Sequence, residues 1–157
     1  MIAVVALDAA VWAAWSAAVG LVASRQPVER FDHDNWLTRG RHAERAGHTY
    51  ERLGIRRWKA HVPEAGQLFG GRSKRALGGA TPAGLAAFAA ETRRAEIVHW
   101  AILVVVPVFA LWNPAPLMPA MVAYAIVANL PCIAIQRYNR LRINRMVSRR
   151  AVLGAGL

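Results

Sequence analysis

The sequence has few of the residues on which disulfide scaffolds and soluble domains depend. Its 157 residues include one cysteine, Cys132, and only 18% are charged. A single thiol excludes an internal disulfide framework and a zinc site built from several thiolates. Because 55% of the residues are hydrophobic and the mean hydropathy is +0.23, the chain is also too apolar for a disordered protein. This composition favours one integral membrane domain over residues 1–157.

Acidic residues are scarce as well. Nine Asp and Glu stand against 20 Lys and Arg, which gives a formal net charge of +11. An excess of positive charge is typical of proteins that bind nucleic acid, anionic lipid or a phosphate-bearing substrate. The positions of the charges along the chain distinguish these three classes. The basic residues bracket apolar runs instead of forming a soluble face with base-reading side chains, and we therefore expect no nucleic-acid partner.

Three apolar runs are long enough to suggest membrane crossings. They cover residues 2–23, 97–112 and 117–135, and a helix of about 20 apolar residues spans a hydrocarbon core of ~30 Å. The sequence predicts an all-α membrane protein with about three transmembrane helices. A cleaved signal peptide is the alternative for the first run, although that run has no basic n-region and is longer than usual.

Details within these runs predict further features. Residues 83–112 read as one long helix, which is followed by a turn at 113–116. We expect Pro107 and Pro131 to loosen their helices. Asp8, the single acid of the first run, is expected to face the helix bundle and pair with a polar group.

The remaining segments hold every Lys and Arg and predict the orientation. Residues 24–96 form a cytosolic, amphipathic helical region, expected to lie along the membrane surface, and residues 136–157 form a basic tail with six arginines and no acid. The N-terminal run and the turn at 113–116 contain no basic residue. The positive-inside rule therefore predicts a multi-pass protein of the cell membrane with its N-terminus outside and its C-terminus in the cytosol.

Polar residues inside the apolar helices mark a candidate site. Glu96 and His99 are three residues apart and share one helical face. If the last two helices pair as an antiparallel hairpin about the 113–116 turn, His99 faces Asn129 and Arg93 faces Gln136. Two interpretations remain open at this point: a catalytic site at membrane depth, or a buried hydrogen-bonded network that joins the two helices.

Three segments resemble one enzyme family. They are RWKAHVPEAG at 57–66, ETRRAEIVHW at 91–100 and NLPCIAIQRYNR at 129–140. Their order and spacing are similar to those of the glycosyl-diaponeurosporenoate acyltransferases. The resemblance implies an integral membrane acyltransferase that esterifies a sugar hydroxyl of a carotenoid or terpenoid glycoside, or of a related glycolipid, with a fatty acyl group.

Acyl transfer of this kind assigns roles to the polar residues. A sugar hydroxyl is a poor nucleophile, and histidine, with a pKa of about 6.5, suits a general base. We therefore expect His99 to be the base and Glu96 to orient it, while Asn129, Gln136 or Arg137 donates to the oxyanion. The motif positions expected to bind substrate are Trp58, Lys59, Arg93, Arg94, Tyr138, Asn139 and Arg140.

The same reading predicts the partners. The chemistry needs no cofactor, only acyl-CoA or another activated acyl group as co-substrate. The cations expected either to hold phosphates of that donor or to contact anionic lipid are Arg56, Arg57, Lys59, Arg72, Lys74 and Arg75. Membrane lipids, the acyl donor and a glycosylated carotenoid or glycolipid acceptor are the expected partners, in a homo-oligomer or a pathway complex.

Two further interpretations concern metals and the alternative function. The acids and histidines of residues 32–48 lack the spacing of metal ligands, so we expect no metal site and assign these side chains to a solvated surface. A non-catalytic membrane subunit that binds lipid or organises a biosynthetic complex is the alternative to the enzyme.

Overall fold

The computed structural model describes residues 2–62 and 81–154, without the side chains of residues 45, 46 and 150–154. The helices are α1 (Ile2–Ser24), α2 (His48–Arg52), α3 (Ile55–Trp58), α4 (Pro82–Leu103) and α5 (Met118–Gly154). Short 3₁₀ helices cover Val28–Phe31, His42–Gly47, Lys59–His61, Val106–Leu111 and Ala115–Leu117. The described part contains no strand, and the predicted all-α class is confirmed.

Three helical stretches are long and apolar enough to cross a membrane, as predicted. They are Ile2–Ser24, Pro82–Leu111 and Ala115–Arg149. Only 6% of the most apolar window of the first stretch is buried within the protein, and 22% in each of the other two. Their apolar side chains therefore point mostly outward, which is the arrangement that a lipid environment stabilises.

The second stretch differs from the single long helix expected over residues 83–112. Helix α4 ends at Leu103, and the chain continues as a 3₁₀ helix from Val106. Pro107 explains the change, because it has no N–H for the carbonyl of Leu103 and disfavours the α conformation in the residue before it. Pro131 does not end α5, which continues through it and runs on to Gly154.

The third predicted span and the basic tail therefore belong to one helix. No break separates residues 117–135 from residues 136–154 in the described part of α5. We call the end of the α4–α5 pair next to the 113–116 turn the outer end, and the opposite end, near Arg93 and Arg137, the inner end.

Aromatic packing joins α1 to the outer end. Trp12 stacks on Phe109 with ring centroids 5.1 Å apart and meets Tyr124 edge-on at 5.4 Å. Asp8 accepts hydrogen bonds from Trp112 Nε1 at 2.7 Å and Asn113 Nδ2 at 2.8 Å. These contacts confirm that Asp8 faces the bundle and pairs with polar groups.

The segment between α1 and α4 packs against the inner end. Ile55 is fully buried beside Ile135 and Tyr138. Gly47 allows this approach, since its φ of +97° is disfavoured for residues with a side chain and its α-carbon faces Leu141 on α5. The described part of this segment therefore packs on α4 and α5.

Candidate active site

His99 and Asn129 meet across the hairpin, as the helical register predicts. His99 Nδ1 lies 3.0 Å from Asn129 Oδ1. The other end of the amide, Nδ2, donates to the carbonyl of Ala125 at 3.0 Å. Since a carbonyl oxygen only accepts, this contact assigns Nδ2 as the amide nitrogen and Oδ1 as the acceptor that faces the imidazole.

The direction of that hydrogen bond determines the histidine tautomer. Because Oδ1 accepts, the neutral imidazole of His99 bears its proton on Nδ1. Its Nε2 then has a lone pair, and no group in residues 2–62 or 81–154 hydrogen-bonds to that atom. An imidazole with a lone pair on Nε2 is suited to accept a proton from a hydroxyl.

Glu96 does not orient His99, contrary to our expectation. Its carboxylate is fully buried and accepts from Arg137 Nε at 2.6 Å and Arg140 Nη2 at 2.7 Å. Trp100 Nε1 adds a contact of 3.4 Å. Two charge-assisted bonds from guanidinium groups outweigh an approach to a neutral imidazole on the same helix, so Asn129 takes the orienting role.

The ion pairs of Glu96 are part of a larger network. Arg137 Nη1 lies 3.0 Å from Glu44 Oε1, and Arg93 Nε lies 2.5 Å from Asp34 Oδ1. Arg140 Nε approaches Asp34 at 3.6 Å. We call these side chains the buried network, although Asp34 lies at its exposed edge; its members are Asp34, Glu44, Arg93, Glu96, Arg137 and Arg140. Three arginines thus meet three carboxylates, and this balance is what burial of charge requires.

The same arginines bind backbone carbonyls of the irregular segment after α1. Arg93 Nη1 donates to the carbonyl of Phe31 at 3.2 Å. Arg137 and Arg140 donate to the carbonyls of Leu37 and Thr38. Irregular backbone against apolar helices would otherwise leave unsatisfied carbonyls, which are costly away from water. The network therefore holds residues 31–38 onto the inner end.

Tyr50 connects this network to α2. Its hydroxyl donates to Glu44 Oε1 at 2.5 Å. Burial and the hydrogen bond to the Glu44 carboxylate raise the pKa of Tyr50 above its ordinary value of 10.0. The phenol therefore stays protonated at neutral pH and acts as a donor to Glu44.

A second charged group lies nearer the surface, and we call it the Glu51 cluster: His48, Glu51, Arg56, Tyr138 and Arg145. Glu51 Oε1 accepts from Arg145 Nη2 at 2.9 Å, Arg56 Nη2 at 3.0 Å and the Tyr138 hydroxyl at 3.3 Å. His48 Nδ1 lies 3.3 Å from Glu51 Oε2. Hydrogen bonds from Arg145 and Arg56 lower the pKa of Glu51 to about 2.

Other residues expected to bind substrate lie near Tyr138. Lys59 Nζ lies 3.4 Å from Asn139 Oδ1 and 5.0 Å from the centroid of the Tyr138 ring. Trp58 Nε1 donates to the carbonyl of Leu53 at 3.2 Å, within the same α2–α3 region. The structure thus brings Lys59, Tyr138 and Asn139 together.

The rest of the predicted set is dispersed. Arg94 pairs with Glu91 on α4 at 2.5 Å, and Gln136 is half-buried on α5. The predicted phosphate contacts Arg72, Lys74 and Arg75 lie outside the described residues.

The sequence interpretation missed the acids that complete these networks. Asp34, Glu44 and Glu51 come from the segment after α1. The assignment of Glu44 to a solvated surface is wrong, since Glu44 is 8% exposed and ion-paired, whereas Asp34 is exposed as expected but is also ion-paired. One signal for them is present in the sequence. Arg93, Arg137 and Arg140 extend from apolar helices that offer Glu96 as a partner, so further carboxylates have to come from elsewhere.

The fold and the site together define a class. It is a protein whose described part is helical, with three stretches long and apolar enough to cross a membrane, and whose inner end holds a histidine–amide pair beside an arginine–carboxylate network. Residues 33–149 match the model of a family described as glycosyl-4,4'-diaponeurosporenoate acyltransferase, and the chain belongs to this family. The resemblance of the three sequence motifs is thereby confirmed.

Individual relatives support the assignment over part of their length. A glycosyl-4,4'-diaponeurosporenoate acyltransferase of Staphylococcus haemolyticus is 37% identical over 90 residues, which are 57% of this chain and 52% of the relative. One of Staphylococcus aureus is 39% identical over 57 residues, 36% of this chain and 34% of the relative. The matched region is therefore about half of these relatives or less. No solved structure matches the chain significantly.

Proposed function

We propose that the protein is a membrane acyltransferase that esterifies a sugar hydroxyl of a carotenoid or terpenoid glycoside, or a related glycolipid, with a fatty acyl group. The observation that supports it most directly is the contact of 3.0 Å between His99 Nδ1 and Asn129 Oδ1, which leaves Nε2 as a base. The names of the relatives, which are acyltransferases of a glycosylated carotenoid acid, supply the reaction class.

In the proposed reaction, His99 Nε2 accepts the proton of the sugar hydroxyl as its oxygen attacks the acyl carbonyl carbon. The bond from that carbon to the donor's leaving group then breaks, and His99 returns the proton to the leaving group. Asn129 keeps Nε2 unprotonated before the attack. With acyl-CoA as donor, the bond that breaks is the thioester C–S bond and the products are the ester and the free thiol.

The contacts narrow the choice of oxyanion donor among the three residues considered. Arg137 already donates through Nε, Nη1 and Nη2 to Glu96, Glu44 and the carbonyl of Leu37. Asn129 uses its Nδ2 on Ala125. Of the three, we therefore assign the oxyanion to Gln136, which lies seven residues, hence two turns, beyond Asn129 on one face of α5.

The substrate-binding roles are divided in the same way. Arg93 and Arg140 are bound to Asp34 and Glu96, so we assign them to holding the site together. The polar group of Lys59, Tyr138 and Asn139 lies at the inner end, about 14 Å along α5 from Asn129, which is too far for one sugar to contact it and also reach His99. We therefore assign this group to the polar part of the acyl donor.

A membrane position follows from helix geometry. With the 113–116 turn at the outer interface, a rise of ~1.5 Å per residue in α4 and ~2.0 Å in the 3₁₀ helix Val106–Leu111 places His99 about 20–25 Å below Trp112. Glu96 is then near the inner edge of a ~30 Å hydrocarbon layer. We propose that the N-terminus is outside and the C-terminus cytosolic, so an amphiphilic acceptor can place its chain among lipids and its sugar at the inner end.

The test is direct acyl transfer by the purified, full-length protein in detergent. Radiolabelled palmitoyl-CoA and a glycosylated carotenoid are incubated with wild type, His99→Gln and the control His33→Gln, whose side chain is exposed. We expect labelled ester from wild type and His33→Gln, and a loss of about 100-fold or more in His99→Gln.

Other outcomes have definite meanings. Full activity of His99→Gln would remove histidine as the base. Absence of labelled ester from every variant, with this and other acyl donors, would favour the non-catalytic membrane subunit.

A further inference from the structure

The Glu51 cluster differs from the buried network in its charge balance. Arg56 Nη2 and Arg145 Nη2 lie 3.0 and 2.9 Å from the same carboxylate oxygen, so they are within about 6 Å of each other. His48 Nε2 is 2.9 Å from Arg145 Nη1. Where the buried network has three acids for three arginines, two guanidinium groups here share one acid.

Further cations surround this cluster. Glu51 is the only acidic residue in residues 47–62 and 138–149. Arg52 and Arg57 are exposed on α2 and α3, and Arg142 and Arg149 are exposed on α5. The spacing of 142, 145 and 149 places three arginines on one stripe of α5, and the side chain of Arg56 is 68% exposed. The packing of α2 and α3 on α5 thus concentrates positive charge around one acid, Glu51, among residues 47–62 and 138–149.

We propose that the guanidinium groups of Arg56 and Arg145, with the exposed arginines around them, bind a phosphate ester. Guanidinium donors match phosphate oxygens in pairs. The side chain of Arg56 is open to a ligand, and that of Arg145, which is 19% exposed, lies directly beside it. Glu51 brings both side chains together and, as the anion already bound to them, competes with the ligand. A nucleotide-linked acyl donor and an anionic lipid headgroup both offer this chemistry.

The position of the cluster favours the phosphates of the acyl donor over a lipid headgroup as the ligand. This assignment of the ligand rests on the proposed function. Tyr138 and Arg145, which contact Glu51, lie nine and 16 residues beyond Asn129 on α5, or about 14 and 24 Å along its axis. A donor such as acyl-CoA has its phosphates separated from its thioester by a long flexible arm. That arm would connect the Glu51 cluster to His99.

The experiment measures binding without turnover. The full-length protein, in nanodiscs of zwitterionic phosphatidylcholine, is titrated with adenosine 3',5'-bisphosphate by calorimetry. We expect Arg56→Gln to weaken binding roughly fivefold to tenfold, because one charge-assisted contact is lost. The control Arg30→Gln, at an exposed arginine outside the cluster, should bind as wild type does.

A second variant separates binding from a purely structural role. Glu51→Gln removes the anion that competes with the ligand and should tighten binding about threefold or more. If the cluster only stabilised the fold, Glu51→Gln would not tighten binding. His99→Gln should retain the wild-type affinity, so failed catalysis and failed phosphate binding give different results.

A second experiment tests the lipid headgroup as the ligand and uses nanodiscs that contain phosphatidylglycerol. If the headgroup is the natural ligand, the protein should co-purify with phosphatidylglycerol in an Arg56-dependent manner and bind the nucleotide weakly in every nanodisc. If nucleotide binding depends on Arg56, the natural ligand of the cluster is the acyl donor. Failure of both ligands to bind, or binding unaffected by Arg56→Gln, would overturn the proposal.

Discussion

Asn129 acts on His99 through the two ends of its amide. Nδ2 bonds the carbonyl of Ala125 one turn back on α5, and Oδ1 meets His99 Nδ1 on α4. An isolated imidazole exchanges freely between its two tautomers, but this contact favours the one with its proton on Nδ1. In the proposed reaction, Asn129 is thus a positioning residue for His99 instead of an oxyanion donor.

Replacement of Asn129 tests this assignment. Asn129→Leu removes the acceptor, so the tautomer with Nε2 free is no longer favoured, and we expect kcat to fall about tenfold to 100-fold with KM changed less than about twofold. Asn129→Asp keeps an acceptor oxygen for His99 but loses the donor to the Ala125 carbonyl, so it should recover only part of the activity. Steady-state kinetics of both variants provide the measurement, and an unchanged kcat in Asn129→Leu would refute the role.

Glu51 makes the stability of the protein depend on acid pH. Arg145 and Arg56 lower the pKa of its carboxyl from 4.5 to about 2 in the folded protein. Its contribution is therefore fully present above about pH 4.5, where the unfolded carboxyl is also ionised, and is lost as the pH falls toward 2. Because the group is near the surface, salt should weaken the effect.

This linkage predicts a measurable difference in melting temperature. Between pH 5 and about pH 2, wild type should lose more thermal stability than Glu51→Gln, whose amide does not titrate. Tryptophan fluorescence during heating in detergent at several pH values gives the comparison. Parallel curves for the two proteins would show that Glu51 has no stabilising ion pair.

At the scale of elements, ion pairs join α4 to α5 at the inner end, whereas aromatic packing joins α1 to the hairpin at the outer end. Glu96 on α4 is paired with Arg137 and Arg140 on α5. Glu91 on the same helix pairs with Arg94 within α4. The first contact connects two helices in a buried position, and the second supports one helix only.

The two acids should differ strongly in their effect on stability. Glu96→Gln leaves two buried arginines short of a counter-charge and should lower the free energy of unfolding by about 3–5 kcal/mol. The matched change Glu91→Gln should cost about 0.5 kcal/mol or less, as is typical of a pair within one helix. Unfolding in mixed micelles of increasing denaturing detergent measures both, and similar costs would contradict a buried network.

At the scale of the whole molecule, the proposed orientation places both basic regions on the cytosolic side. Every Lys and Arg lies in residues 24–96 or after residue 136, and three spans bring these regions to one side. Some of these arginines also have structural roles, since Arg93, Arg137 and Arg140 are buried in ion pairs. In the proposed orientation, the positive charges therefore set the direction of insertion, and some of them also hold the helices together.

Labelling of introduced cysteines tests the orientation. In a Cys132→Ser background, Ala115→Cys in the exposed outer turn should react with a membrane-impermeant maleimide in intact cells. Ser148→Cys, exposed near the end of α5, should react only after permeabilisation. The reverse pattern would place the inner end outside the cell and remove cytosolic acyl donors from reach.

The sequence by itself determined the three helices and the meeting of His99 with Asn129. Hydropathy over about 20 residues is a local property, and a helix hairpin with a known turn has a regular rise, so register alone predicts which residues face each other. Pro107 was a signal in the sequence for the break after α4. Whether a proline ends a helix depends on its surroundings, however, since Pro131 is accommodated within α5.

Only the tertiary structure decided which charges pair. Asp34, Glu44 and Glu51 belong to a segment of turns and short helices, and its elements are too short for spacing along the chain to indicate which long helix each acid reaches. The geometry of α4 suggested Glu96 as the partner of His99, yet Arg137 and Arg140, more than 40 residues away, take its carboxylate. Ion pairing follows distance in space and the high cost of burying an unpaired charge, and both are set only when the whole chain is packed.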